Sequence, residues 1–352
     1  MMYSTQDKVA MSENCPIPMR SIGPVRITGP VIDDDVMVPL ATYESPLWPS
    51  TNRGACVTSH AGGINTVVTD ERMSRSILLE AKNAEASLAF TNELERRRSE
   101  LEAVVAGTSR FGRLRGYHVE LTANLIFLRL ELCTGDAAGH NMVTLAADRV
   151  MIWILEQWPD LAYVSISGNF CTDKKVSAVN GILGRGKHVI CESNISTDLC
   201  ARFLKTTPDR LVDLNIKKNL IGTALAGGVR SANAHFANML LAFYLATGQD
   251  AANIIEGSQG FVHAENRDDV LYFAVTIPNV IVGTVGVGKD SDVVQANLEQ
   301  LGCLVDRETG ANARRLAAIA AATVLCGELS LLAAQTNPGE LMKAHCDIER
   351  AK

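Results

Sequence analysis

Between residues 64 and 166 short apolar blocks alternate with longer segments of mixed polarity. Residues 65–69 (NTVVT) are rich in β-branched side chains and predict a strand. Residues 76–106 read as one long helix, with its charges gathered in 93–102. Two strands follow at 117–123 and 125–132, broken at Asn124. Residues 142–158 form an amphipathic helix ended by Pro159, and the apolar run 161–166 reads as a buried strand. The order β-α-β-β-α-β is that of a ferredoxin-like split unit.

After residue 175 the pattern turns mostly helical, with predicted helices at 176–181, 197–206, 231–247, 293–301, 312–334 and 339–348. Strands at 189–192 and 272–282 separate some of them. The expected fold class is α+β: a large mixed helical and β domain with the small βαββαβ domain inserted in it. The expected division is an N-terminal segment 1–20, a first large-domain part 21–63, the small domain 64–166, and a loop plus second large-domain part 167–352. The apolar stretch 316–334 could nominally cross a bilayer, but Glu328 interrupts it and Ala and Gly fill it. It reads as a buried helix suited to close packing.

At 352 residues the chain exceeds one ordinary core, which agrees with two domains. A net charge of -6 without a long basic block excludes nucleic acid as the expected partner. The nine cysteines are scattered and form no Cys-x-x-Cys pair, so neither a disulfide framework nor a zinc site is indicated. A reducing cytoplasm fits them. Residues 1–20 are polar and lack the apolar core of a signal peptide.

Residues 167–175 (SGNFCTDKK) place a hydroxyl, an amide, a carboxylate and two ammonium groups at a strand end. Such a cluster is either a solvated turn or a rigid set of reactive groups. Glu44 lies before two prolines and a tryptophan, where burial would raise its pKa and make it a proton donor. Asp250, flanked by alanines, is either a helix cap or the buried partner of a cation. His345 lies on a short terminal helix and could donate a proton at neutral pH. Residues 283–289 (GTVGVGK) satisfy G-x-x-x-x-G-K, yet Asp290 follows where a P-loop needs Ser or Thr. No G-x-G-x-x-G occurs, so any nicotinamide site must be built differently from a Rossmann unit.

Taken together, these segments resemble the 3-hydroxy-3-methylglutaryl-CoA (HMG-CoA) reductase family. The resemblance runs from about residue 21 to 350 and rests on ATYESPLWPSTNRG (41–54), TSRFGRL (108–114), GDAAGHNM (135–142), SISGNFCTDKK (165–175), GRGKHVICE (184–192), NAHFAN (233–238), GQDAA (248–252) and KAHCDIER (343–350). It is nearer the biosynthetic class of eukaryotes and archaea than the degradative bacterial class. The resemblance implies reduction of HMG-CoA to mevalonate and CoA in two hydride steps from NADPH. It implies that Glu44 donates a proton, Lys174 stabilises the oxyanion, Asp250 tunes both, and His345 protonates the departing thiolate. Ser167, Asp173, Lys175, Lys218 and Asn238, with Arg75 nearby, match residues holding the hydroxymethylglutaryl group. Ser50, Asn52 and Arg53 match the CoA side.

The inserted small domain is, by the same resemblance, the nicotinamide-binding unit. Ser109, Arg110 and Phe111 match the region contacting the 2′-phosphate. Asp136, Gly139, Asn141 and Gly286 match cofactor loops. A dimer or larger is implied, in which the 167–175 loop reaches the neighbouring subunit's Glu44, Asp250 and His345. The chain departs from the family pattern at Ala138, His140, Leu183, Val287, Lys289 and Glu349. These departures leave two alternatives open: a non-catalytic CoA- or nucleotide-binding paralogue, and NAD-linked oxidation of mevalonate.

Overall fold

The computed structural model describes residues 15–349. Strands β1 (Met19–Thr28) and β2 (Asp34–Ala41) precede helix α1 (Leu47–His60). The long β3 (Ile64–Glu80) leads to α2 (Ala84–Arg96), α3 (Arg98–Ala106), the hairpin β4 (Arg113–Thr122) and β5 (Leu125–Cys133), α4 (His140–Gln157) and β6 (Ala162–Ile166). Then come α5 (Ala178–Leu183), β7 (Gly186–Ser196), α6 (Thr197–Leu199), α7 (Pro208–Leu214), α8 (Thr223–Leu225), β8 (Ser231–Ala232) and α9 (Phe236–Ala246). The rest is α10 (Ile254–Gly257), β9 (Gly260–Arg267), β10 (Val270–Val280), α11 (Asp292–Gln300), α12 (Ala311–Gln335) and α13 (Glu340–Glu349). π-helical segments Cys200–Leu204 and Asn215–Gly222 follow α6 and α7.

β3 belongs to two sheets. Its first half pairs with β1 and β7, in a sheet ordered β2-β1-β3-β7-β10-β9-β8. Its second half pairs antiparallel with β5 from Met73 to Glu80 and with β6 from Ile77 to Glu80. The second sheet runs β6-β3-β5-β4, which is fourth, first, third, second strand of the βαββαβ run. That is the ferredoxin-like order expected from the sequence.

Each sheet face has its own apolar core. On α4 the buried Val143, Ala146, Ala147, Val150, Met151 and Ile154 recur at helical spacing. They pack with Ile77, Leu79, Leu128 and Leu130 of the second sheet. The larger core gathers around α12, whose apolar window is 94% buried, so this helix is the centre of the fold as its small residues suggested.

Several expectations need correction. The predicted helix 76–106 begins only at Ala84, where Asn83 caps the Ala86 N–H at 2.9 Å. Residues 76–80 are strand because β5 and β6 flank them on both sides, and that pairing overrides local preference. The helix also breaks at Arg97, whose guanidinium stacks on Trp158 at 4.8 Å and donates to Glu100. β6 is an edge strand rather than a buried one, with Tyr163 and Val164 exposed. The predicted helix 231–247 starts at Phe236, after the short β8, and β1, β2 and β9 had no counterpart in the sequence reading.

α1 crosses α12 so closely that a Cβ on Gly54 would lie 1.9 Å from the Cys326 carbonyl oxygen. Neither backbone can retreat inside a packed core. Gly54→Ala is therefore expected to cost about 3 kcal/mol, read as a lowered urea midpoint; an unchanged midpoint would show that the helices can move apart.

Candidate active site

β6 ends at Ile166, and the chain then turns through residues 167–175. Asn169, Thr172 and Lys174 have φ of 59°, 42° and 55°. Left-handed backbone at non-glycine residues costs about 1 kcal/mol or more each, so the surroundings must impose it. They do so through polar contacts. Ser167 Oγ accepts from the Asn169 N–H at 3.1 Å and lies 3.4 Å from Cys171 Sγ. Thr172 Oγ1 meets Ser177 Oγ at 2.7 Å, and Asn180 Nδ2 donates to the Thr172 carbonyl at 3.1 Å. Arg129, fully buried on β5, donates to the Phe170 carbonyl at 3.1 Å.

The loop's charges are held from beneath by Arg185. This buried guanidinium reaches Asp173 Oδ1 at 2.6 Å, the Ser74 carbonyl of β3 at 2.5 Å and Glu256 Oε1 at 3.4 Å. Arg75 adds a contact to Asp173 Oδ2 at 3.3 Å, and His140 Nε2 lies 3.9 Å from Oδ1. Burial alone would raise the Asp173 carboxyl, but Arg185, His140 and Arg75 outweigh it and hold it below the usual range. Glu256 also accepts from the Lys174 backbone N–H and from Asn253 Nδ2, both at 3.1 Å, while burial raises its pKa. Burial, with the Arg185 charge next, lowers His140 to about 4 and leaves it neutral.

Lys174 projects from this base to Asp250, with Nζ 2.6 Å from Oδ2. The other carboxylate oxygen, Oδ1, accepts from the Ala252 N–H at 3.1 Å. One oxygen of Asp250 caps a turn and the other meets a cation, but the residue is exposed rather than buried as that second reading expected. Burial raises the Asp250 carboxyl, and the Lys174 and Ala252 bonds more than reverse this, so it stays anionic. The pair forms within one chain, whereas the resemblance implied that the loop reaches the neighbouring subunit's Asp250. Lys175 turns back and donates to the Asp173 carbonyl at 3.0 Å.

Glu44 lies elsewhere. Its Oε2 accepts from Asn238 Nδ2 of α9 at 3.1 Å. Among the described residues, no hydrogen bond or ion pair joins Glu44 to Lys174 or Asp250. Glu44, Asn238, Ser50 and Arg53 line one cavity of about 410 Å³. Arg53 and Ser50, one turn apart on α1, converge on Ser330 of α12, with Arg53 Nε and Ser50 Oγ both 3.0 Å from its hydroxyl. Asn52 is not with them: it faces the other way and accepts the Gly23 N–H at 2.9 Å. Lys218 donates to Asn219 Oδ1 at 3.2 Å on the π-helical segment. His345 falls on α13, but its side chain lies outside the described residues. His235, which the sequence reading passed over, is in the cavity wall.

The two expected cofactor loops, distant in sequence, lie side by side. The Asp136 carbonyl accepts from the Thr284 N–H at 2.8 Å, and a Cβ on Gly283 would stand 2.3 Å from the Ala138 nitrogen. Both Asp136 carboxylate oxygens cap α12, taking the Gly310 and Ala313 N–H groups at 2.8 and 2.9 Å. Gly139 turns the chain into α4 at φ 98°, and Asn141 is exposed on its first turn. Gly286, at φ 98°, faces open space. Ser109 Oγ accepts from the Phe111 and Gly112 N–H groups, and with Arg110 and Arg113 it borders an open concavity; Phe111 is exposed. The P-loop resemblance fails here too: Lys289 is buried with its Nζ on the Gly248 carbonyl, and the next helix starts only at Asp292.

Removing Arg185 would leave Glu256 and Asp173 without their buried cation. Arg185→Met is expected to cost about 3–5 kcal/mol, measured by denaturant unfolding; a loss below about 1 kcal/mol, the worth of a surface pair, would contradict the network described.

The profile of the hydroxymethylglutaryl-coenzyme A reductase family matches residues 6–350. The chain is 42% identical to the 3-hydroxy-3-methylglutaryl-coenzyme A reductase of Aeropyrum pernix over 331 residues, 94% of this chain and 78% of that protein. It is 43% identical to the Pyrococcus horikoshii reductase, over 90% of this chain and 78% of that protein. Against reductase 1 of Oryza sativa subsp. japonica identity is 40%, over 97% of this chain and 66% of that protein. The solved class II reductase of Streptococcus pneumoniae, bound to NADPH in open conformations, shares the fold: TM-score 0.74 at 17% identity, over 94% of this chain and 87% of that one. With the family match spanning nearly its full length, the chain belongs to the hydroxymethylglutaryl-coenzyme A reductase family.

Proposed function

We propose that this protein reduces HMG-CoA to mevalonate and CoA in two hydride steps, as a biosynthetic-class enzyme of isoprenoid precursor formation. The observation that carries the reading is the Lys174–Asp250 pair at 2.6 Å, raised on a loop whose base is fixed by buried charges. An ammonium held in place by an anion can stabilise an oxyanion as it develops, without reorganising during the step. Lys174 takes that role toward the thioester carbonyl and then the aldehyde. Asp250 keeps the ammonium aimed. Glu44, oriented by Asn238, supplies a proton to the reduced carbonyl oxygen. His345 is assigned protonation of the CoA thiolate.

Ser167, Asp173, Lys175, Lys218, Asn238 and Arg75 are assigned to the hydroxymethylglutaryl group. The cavity at Ser50 and Arg53 is assigned to CoA, with Asn52 outside it. NADPH, when bound, supplies the hydride. The exposed Gly286 turn and the Ser109–Arg113 concavity with its two guanidinium groups fit a phosphate-rich ligand. Arg110 favours the extra phosphate of NADPH over NADH. The small domain 64–166 is read as the cofactor unit and the segments 21–63 and 167–352 as the substrate unit.

Among the described residues no hydrogen bond or ion pair joins Glu44 to Lys174, so a second subunit is assigned to bring them together. Ile216, Leu220, Ile221 and Leu225 expose an apolar face near Lys218 that suits such a homodimer. Nine free cysteines agree with a reducing cytoplasm.

Lys174→Ala is expected to lower kcat about a hundred- to a thousand-fold while the melting curve is retained; near-normal turnover would refute the assignment. Arg110→Ala is expected to weaken NADPH and spare NADH in steady-state kinetics with both cofactors. Unchanged selectivity would remove Arg110 from the cofactor site.

A further inference from the structure

Helix α9 takes one side-chain cap from Asn233, whose Oδ1 accepts the Phe236 N–H at 3.3 Å, while its N-cap residue His235 makes none. The N–H groups of Ala234 and His235 are taken instead by Glu328 of α12, the His235 bond measuring 3.0 Å. Glu328 is wholly buried. The adjacent Gly327 carbonyl accepts from His235 Nε2 at 3.0 Å, which places the imidazole proton on that nitrogen. A carboxylate satisfies orphan donors at a helix start and complements the helix dipole. What α9 carries next gives this contact its meaning. Asn238, in the first turn, holds Glu44.

We infer that Glu328 is a positioning residue for the reduction: its carboxylate anchors Ala234 and His235, the two residues that lead into α9, and, through Asn238 in the first turn, holds Glu44 in its proton-delivering orientation. The inference rests on the role assigned to Glu44 above.

Burial pushes the Glu328 carboxyl up to about 7, with the Ala234 and His235 N–H groups and Lys218 limiting the rise. Few other charges face it. His235 stays neutral at about 4 through burial. Burial lowers Lys218, and Glu328 partly restores it. Arg53, from α1, binds Ser330 two residues along α12 and feels Glu340 of α13. Cys326 on α12 and Cys191 on β7 are raised to about 12 by burial and remain thiols.

The folded-state pKa of Glu328 lies above its unfolded value. Its contribution to stability is therefore fully present below the unfolded pKa and lost as pH rises through about 7. The cap has the opposite sense. A protonated carboxyl turns one acceptor into a donor facing an N–H, so both bonds are complete only when Glu328 is ionised. Across neutrality the fold loses stability while the grip on the Ala234 and His235 N–H groups, and so on the start of α9, tightens.

The test measures kcat/KM for HMG-CoA and NADPH against pH in the full-length protein, in Glu328→Gln, in Asn238→Ala and in the double variant. In the wild type, kcat/KM is expected to rise several-fold through the neutral range. Glu328→Gln, which cannot ionise, is expected to lose that rise and run several-fold slower on the alkaline side. The double variant is expected to be no slower than Asn238→Ala, because both changes act on one contact. Should Glu328→Gln not fold, Asn238→Ala decides alone, since it breaks the link downstream and must lose the same rise. A rise retained in either variant, or losses that multiply in the double variant, would overturn the inference. A folded wild type that oxidises no NADPH overturns the reductase reading itself, a different result from a working enzyme whose variants keep its pH profile.

Discussion

The buried guanidinium of Arg185 is the interaction on which the site depends. It joins β3, where the two sheets meet, to the Asp173 carboxylate of the reactive loop and to Glu256 beneath Lys174. In energy such a contact is close to neutral, because taking the charges out of water offsets much of their attraction. Its value is in location. The three left-handed residues of the loop would relax without partners that over-determine them. With Arg185 and Arg129 below, the loop has one arrangement, and Lys174 emerges from it at a fixed place. The contrast in exposure follows. Arg185 and Glu256 are shut from water, while Lys174 and Asp250 remain 38% and 45% exposed, open to a substrate.

The same logic of remote support recurs across the molecule. Asp136 caps α12 and thereby ties the loop before α4 to the central helix. Gly283 lets the loop after β10 lie against the Asp136 loop at backbone distance. Lys289, where the family pattern has a small polar residue, closes onto Gly248 beside the Asp250 turn. Burial lowers its ammonium to about 8, and its Nζ bond to the Gly248 carbonyl links the two turns. α12 is thus packed at its start by the Asp136 loop and at its end by the cavity wall, and it passes through the core between them. This explains why so apolar a helix carries two buried charged residues, Arg315 and Glu328, each committed to a definite partner.

Much of this was legible in the sequence, and what was not has physical reasons. The βαββαβ order, the buried nature of α12 and the gathering of polar and charged groups at 167–175 could be read from pattern and motif. Residues 76–80 could not be read as strand, because their conformation is set by β5 and β6 rather than by local preference. The exposure of β6 was hidden because an apolar edge strand has the same composition as a buried one. Arg185 gave no signal: within GRGKH it looks like a charged turn, and only the fold reveals that it is buried. Asp250 showed the limit of choosing between cap and ion pair, since a carboxylate has two oxygens and here uses one for each. Glu328 was read only as an interruption of an apolar run, although its partners are 93 and 94 residues away.

The central claim is that one site delivers two hydrides to a single thioester. The stoichiometry of NADPH oxidised to CoA released, measured on the purified protein with HMG-CoA, tests it most directly. Two NADPH per CoA is the predicted result. One NADPH per CoA, with an aldehyde accumulating, or CoA release without any oxidation, would contradict the account.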